Sequence, residues 1–203
     1  MDALCESAPL EIKSGRRMNQ IILLGAVAFV LNALFNHFAL EAANPNKMLK
    51  VGDHFPAYSL TAVDGAQVSD KNIVGRPAIY FFFADWCPCS HDSIKWIKRI
   101  QAENPKSGIA ILGVGMLDSA SNLSRFAKKH KLEFPVISEN GQSLAHEAGM
   151  EITPTAVFVD DGAVIRYVHV GKIERYEQAL EGLKTILRTT ASSTITQTLA
   201  GAA

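Results

Sequence analysis

The pattern of apolar and polar positions separates two parts of the chain. Near the N-terminus, Ile21 to Leu31 carries no charge and is strongly apolar, and weaker apolar character continues through Phe35 and Phe38 to Leu40, interrupted by Asn32, Asn36 and His37. Beyond it, short apolar runs alternate with amphipathic stretches. Ala78 to Phe83 and Ile109 to Gly115 are near-continuous apolar runs, the pattern of strands buried on both faces. Between them Ile94, Ile97 and Ile100 predict a helix from Pro88 to Ala102, ended by Pro105 and Gly108. A second helix is predicted from a cap at Asp118 or Ser119 to about His130, with Leu123, Phe126 and Ala127 on one face. Phe134 to Ile137 reads as a short strand, Gly141 to Ala148 as a short helix and Ala156 to Val159 as a strand. Ala163 to Val170 alternates as a strand returning from the turn Asp160-Asp161-Gly162. Ile173 to about Leu187 is a final helix with Ile173, Tyr176, Leu180, Leu183 and Ile186 at helical intervals. Asp64-Gly65, between alternating residues, predicts an earlier hairpin.

Strand, helix, strand, helix, strand, then a hairpin and a helix gives an α/β fold, a mixed central sheet flanked by helices. Its first part is parallel and the Asp161-Gly162 hairpin adds an antiparallel edge. Thr189 to Ala203 is rich in Ser, Thr and Ala without core-forming periodicity and is expected to be disordered. The chain thus divides into a cytoplasmic segment 1–17, a transmembrane anchor or signal peptide 18–42, a linker 43–50, a folded domain 51–188 and a tail 189–203.

Asn19 to Leu40 is long enough to cross a bilayer, which takes about 20 residues. Lys13, Arg16 and Arg17 before it favour a cytoplasmic N-terminus. A retained anchor and a cleaved signal peptide both fit. Leu40-Glu41-Ala42 and Glu41-Ala42-Ala43 match the small-residue cleavage pattern poorly, which favours the anchor. Either way the folded domain is expected in an oxidising compartment outside the cytoplasm; with the anchor retained, it is expected at the cell inner membrane on its periplasmic side. The 20 basic residues balance the 20 acidic ones, so nucleic acid is not an expected partner.

Of the three cysteines, Cys5 precedes the apolar segment, which leaves Cys87 and Cys89 as one redox couple or half a metal site. They follow a buried strand and open a helix, where backbone N–H groups and the helix dipole lower a thiol pKa. Pro88 suits the first helical position and keeps Cys87 out of the helical region, making Cys87 the natural N-cap. Cys87 is expected to be the lower-pKa, more exposed thiol that attacks, with Cys89 resolving. A disulfide between residues two apart needs a bent chain, and its tight ring favours a more oxidising potential. Trp86 would lie beside the thiols, as packing and as a docking surface. Asp92, one turn after Cys89, could take its proton or simply be solvated. Thr153-Pro154-Thr155 opens an apolar strand; a cis bond there would leave the Thr153 carbonyl and N–H free to pair with an extended peptide.

Trp86-Cys87-Pro88-Cys89 after Tyr80-Phe81-Phe82-Phe83-Ala84 resembles the active site of the thioredoxin superfamily, in its membrane-anchored TlpA/ResA-like thiol–disulfide oxidoreductase branch. The resemblance runs from about Val51 to Leu187. It includes Val51-Gly52-Asp53-His54-Phe55-Pro56, the Asp64-Gly65 hairpin, Phe134-Pro135-Val136 and Phe158-Val159-Asp160-Asp161-Gly162. Ile152-Thr153-Pro154-Thr155 is similar to the family's cis-proline loop. The resemblance implies a thioredoxin-like fold, exchange of disulfides with partner proteins, an electron donor in the membrane or outside the cytoplasm, and no cofactor. Asp92 matches a frequently acidic position. The chain departs from the family in having Cys-Pro-Cys for Cys-x-x-Cys, and Phe81 where cytoplasmic thioredoxins place a buried acid.

Two other functions draw on the same residues. A copper(I) carrier or metal-site assembly protein would use Cys87 and Cys89 with His91 or His169, a soft donor set suited to that ion. A peroxiredoxin would need Pro-x-x-x-Thr/Ser-x-x-Cys; counting back gives Ala84 and Tyr80 from Cys87, and Trp86 and Phe82 from Cys89.

Overall fold

The structure, a computed structural model, describes residues 48–200 apart from Val74 and Gln142. The expected cytoplasmic segment, the anchor or signal peptide, Cys5 and most of the linker lie outside the described residues. Among the described residues no helix is long and apolar enough to cross a membrane.

A small hairpin comes first, β1 (Ser59–Thr61) against β2 (Gln67–Ser69), antiparallel with Ser59 opposite Ser69. Its turn is the expected Asp64-Gly65: the Asp64 carboxylate accepts from the Ala66 N–H at 3.0 Å. The main sheet has the order β5-β4-β3-β6-β7. Its strands are β3 (Ala78–Phe83), β4 (Ala110–Met116), β5 (Val136–Glu139), β6 (Thr155–Val159) and β7 (Ile165–Val170). β3, β4 and β5 run parallel, and β6 and β7 are the antiparallel edge expected from Asp161-Gly162.

The apolar run of β3 is explained by its central place, with all six residues buried. Side chains alternate across a strand, so the run serves two cores. Ile79, Phe81 and Phe83 pack with Ile94, Ile97 and Ile100 of α1 (Pro88–Glu103), Leu123 and Phe126 of α2 (Ala120–His130), and Leu183 and Ile186 of α4 (Tyr176–Ala200). Tyr80 and Phe82 face the opposite core, with Phe55, Tyr58 and the Leu144 and Ala145 of α3 (Ser143–Glu147). Burying one such side chain contributes about 1.5–3 kcal/mol, so the three consecutive phenylalanines fix the sheet between its layers.

The ends of the helices follow local chemistry. Ser119 caps α2, its hydroxyl accepting from the Asn122 N–H at 3.2 Å. The buried Glu139 carboxylate accepts from the Leu144 and Ala145 N–H groups at 2.9 and 3.3 Å, which sets the start of the short α3. α4 begins at Tyr176 rather than Ile173, because Gln178 Oε1 accepts from the Glu174 and Arg175 N–H groups at 2.8 and 3.0 Å.

The stretch from Thr189, expected to be a disordered tail, continues α4 to Ala200. No Pro or Gly occurs between Thr189 and Ala200. The Thr185, Thr189 and Thr190 hydroxyls donate to carbonyls one turn earlier at 2.9–3.0 Å, so their polarity is satisfied by the helix's own backbone.

Candidate active site

β3 ends at Phe83, and three residues, Ala84-Asp85-Trp86, carry the chain to Cys87 at the N-cap of α1. Cys87 is extended, with φ −97° and ψ 110°, and Pro88 takes the first turn as its fixed φ favours. Both thiols are free and half-buried, so the expected greater exposure of Cys87 does not distinguish them. Burial pushes the Cys87 thiol up, but hydrogen bonds with the Ser90 hydroxyl, the Ser90 backbone, the Thr153 side chain and the Cys89 backbone outweigh it and hold the thiol below its ordinary value. A helix start does this because its N–H groups lack intrahelical partners.

The Thr153–Pro154 bond is cis. The antiparallel pairing of β6 with β3 sets this loop beside the end of β3, Thr155 lying opposite Phe82. The Cys87 thiol donates to the Thr153 carbonyl at 3.6 Å, and the Pro154 carbonyl accepts from the Gly171 N–H at 2.8 Å. The Thr153 carbonyl thus faces the Cys87 thiol across the end of the sheet.

Trp86 is 60% exposed beside the thiols. The structure adds three apolar residues at the same end of the sheet: Leu117 after β4, Ile152 before β6 and Val170 at the end of β7, all exposed. The sequence reading missed this rim, because apolar residues at strand ends read equally well as core. Trp96 packs against the core instead, with its ring centroid 6.2 Å from that of Tyr176.

The turn before Cys87 is held from both sides. The Asp85 N–H donates to Asp118 Oδ2 at 3.1 Å, and the Asp85 carbonyl lies 2.7 Å from His91 Nε2. Asp118, buried, also accepts from the Ser119 N–H and the Asn122 amide at 2.9 and 2.8 Å. The sequence suggested Asp118 only as a helix cap. Ser90, fully buried one turn into α1, accepts from the Ala84 N–H at 3.2 Å and closes the same turn.

Asp92 is exposed, and its carboxylate lies 2.6 Å from Lys172 Nζ. Hydrogen bonding and charge from Lys172 hold that carboxyl below the usual carboxylate range. Lys172 is raised in turn, by Asp92 first and by the negative charge of a Cys89 thiolate in smaller part. Lys172 belongs to the turn after β7, which is tied to α1 by the Ile173 N–H donating to the buried Ser93 hydroxyl at 2.9 Å. Nothing in the local sequence links a lysine 80 residues away to Asp92.

His91 points to Asp85 and His130, and His169 lies 3.2 Å from the Lys172 carbonyl. Among the described residues no three His, Cys, Asp or Glu side chains are grouped to hold a metal ion. Cys87, Cys89, His91 and His169 are therefore not gathered as the alternative metal set required: His91 is turned onto its own network, and His169 onto the Lys172 turn.

Residues 51–168 match the AhpC/TSA family. The thiol–disulfide oxidoreductase ResA of Bacillus anthracis is 25% identical over 163 residues, covering 80% of this chain and 88% of that protein. ResA of Geobacillus thermodenitrificans is 23% identical over 167 residues, 81% of this chain and 91% of its own. Among solved structures, a putative thiol:disulfide interchange protein DsbE from Chlorobium tepidum superposes with a TM-score of 0.63 at 24% identity, covering 68% of this chain and 99% of that one. StoA from Bacillus subtilis gives 0.55 at 20% identity, covering 64% and 97%. These two superpositions establish the fold, and the family match spans the segment that carries Cys87 and Cys89. The chain belongs to the AhpC/TSA family, as a thioredoxin-like thiol–disulfide oxidoreductase of the TlpA/ResA-like kind.

Proposed function

We propose that the protein is an extracytoplasmic oxidoreductase that exchanges disulfides with partner proteins, with Cys87 attacking and Cys89 resolving. The observation that carries this is the placement of Cys87: a pKa-lowered thiol at a helix N-cap, 3.6 Å from the Thr153 carbonyl beside an exposed Trp86. The Cys87 thiolate attacks one sulfur of a partner disulfide. A mixed disulfide forms and the other partner sulfur leaves as a thiolate, which takes a proton. Cys89, deprotonated, then attacks the Cys87 sulfur, and the second partner thiolate leaves. The partner gains two electrons, and this chain ends as a Cys87–Cys89 disulfide. An electron donor in the membrane or outside the cytoplasm restores the dithiol; run backwards, the same steps oxidise a partner. The Thr153 and Pro154 loop and Trp86 position the partner segment, its backbone meeting the loop and its apolar side chains the rim.

The anchor reading supports the location: an apolar stretch from Asn19 to Leu40 follows Lys13, Arg16 and Arg17. It places the protein as a single-pass protein of the inner membrane with its thiols on the periplasmic side. Labelling of Cys87 in spheroplasts by a membrane-impermeant maleimide tests this; protection until lysis would refute it.

The exchange itself is tested by redox titration of the full chain carrying Cys5→Ser in glutathione buffers, with free thiols alkylated and counted by mass. One two-electron transition linking Cys87 and Cys89 is expected. Two free thiols across the whole range would overturn the resolving role of Cys89.

A further inference from the structure

His91 and His130 are in hydrogen-bond contact, Nδ1 of the first 2.8 Å from Nε2 of the second. They come from different helices, α1 and α2, and both rings pack on Phe126, with centroids 4.9 and 4.4 Å from it. The other nitrogen of His91 lies 2.7 Å from the Asp85 carbonyl, two residues before Cys87. A carbonyl only accepts, so His91 Nε2 carries a proton. Neutral His91 therefore presents Nδ1 as an acceptor, and His130 must donate its Nε2–H.

This arrangement has a fixed proton capacity. One added proton fits: whichever ring is charged, a single hydrogen remains between the facing nitrogens. A second places N–H against N–H and adds repulsion between two cations. We propose that His91 and His130 are positioning residues for the exchange reaction: an imidazole pair that holds the Asp85 carbonyl, and with it the turn presenting Cys87, and that opens when both rings are protonated. The proposal rests on Cys87 as the attacking thiol.

The surrounding charges set where the second proton enters. The Asp85 carboxylate lies 3.5 Å from His91 Nε2, and Asp92 lies one residue on in α1. On the His130 side, Lys98 of α1 donates from Nζ to the His130 carbonyl at 2.5 Å, and Lys129 precedes it in α2. Burial first, then His91, Lys129 and Lys98, push His130 below the ordinary histidine value, and Asp85 opposes them weakly. Opening thus falls on the acid side of an ordinary histidine titration. Asp118 keeps the other side of Asp85 in place, so the turn loosens without coming apart.

The test is the rate of Cys87 alkylation by iodoacetamide against pH, read by peptide mass on the full chain carrying Cys5→Ser. The expected profile follows the thiolate fraction and then falls a further fivefold or so through a second, more acidic inflection, the effect of losing about one hydrogen bond. His130→Leu should lower the neutral-pH rate by a comparable factor and remove that inflection. His130→Gln, which returns a donor that does not titrate, should recover most of the rate and still lack the inflection. A wild-type profile with one inflection, or an inflection that survives in both variants, overturns the proposal. Should a variant fail to fold, 15N imidazole spectra of the wild-type chain decide: linked proton uptake in two steps supports the pair, and independent titration of the two rings refutes it. Failure of the attacking-thiol reading looks different, because the main inflection would then stand at an ordinary thiol pKa.

Discussion

The Cys87 sulfur and the Thr153 carbonyl oxygen, 66 residues apart in the chain, stand 3.6 Å from each other. The contact follows from the antiparallel pairing of β6 with β3, which starts one strand where the other ends. In the proposed exchange this contact makes Cys87 the thiol that meets a partner at the Thr153 loop. Cys89→Ser should therefore accumulate a mixed disulfide with a small disulfide-bonded peptide, whereas Cys87→Ser should not. Non-reducing mass measurement of the trapped species checks both; equal trapping by the two variants would reverse or abolish the assigned order of attack.

Ser90→Ala tests the origin of the low Cys87 pKa. The hydroxyl both stabilises the thiolate and accepts from the Ala84 N–H. Its loss should move the alkylation inflection of Cys87 up toward an ordinary thiol. It should also cost about 1–3 kcal/mol of stability through an unsatisfied buried N–H. The sign of the pH dependence follows from linkage. A thiol whose folded pKa lies below its unfolded value stabilises the reduced fold fully above the unfolded pKa, and that contribution is lost as pH falls through the folded pKa. Reduced wild-type protein should thus gain stability across that interval, and Ser90→Ala should narrow it. Urea unfolding at several pH values measures the change.

The sequence carried the succession of strands and helices well, and for a physical reason. A run such as Ala78 to Phe83 has no polar face, so it fits only a central strand, and Pro88 admits little but a helix start after it. The same two signals located Cys87 at the N-cap. What escaped was chemistry made by tertiary contact: the Asp118 grip on Asp85, the His91–His130 pair and the Lys172 cation at Asp92. Each joins residues whose separation is set by how helices and loops meet above the sheet, which no local period encodes. Asp92 shows the consequence. Its spacing from Cys89 suggested a proton acceptor, and the fold gives its carboxylate a lysine partner.

That ion pair yields a prediction with a diagnostic sign. Lys172 carries positive charge near Cys89, so it favours the thiolate and hence the reduced dithiol. Lys172→Met should make the Cys87–Cys89 couple more reducing. Asp92→Asn, which releases the cation from its carboxylate, should make it more oxidising. Both groups are exposed and screened. Each shift should therefore stay below about 30 mV, the equivalent of a tenfold change in the exchange equilibrium. Glutathione titration of the two variants reads the signs, and shifts in the same direction would show that Lys172 acts on the fold rather than on the thiols.

The frame beneath the site has its own exacting point at Gly182 of α4. A methyl group there would lie 2.7 Å from the Phe158 ring. That ring is fully buried and held edge-on by Tyr167, with centroids 5.6 Å apart, so it has little room to retreat. Two effects compete in Gly182→Ala. Replacing glycine within a helix gains about 1 kcal/mol of helix propensity. Overpacking a closed core costs about 1–3 kcal/mol. Because the obstructing atoms are a pinned ring rather than a flexible chain end, the cost should prevail, for a net loss of about 1 kcal/mol. The urea midpoint should fall with the slope of the transition unchanged. A midpoint that rises would mean that α4 moves away from β6 at little cost, and the close helix–sheet contact would then not be what holds α4 in place.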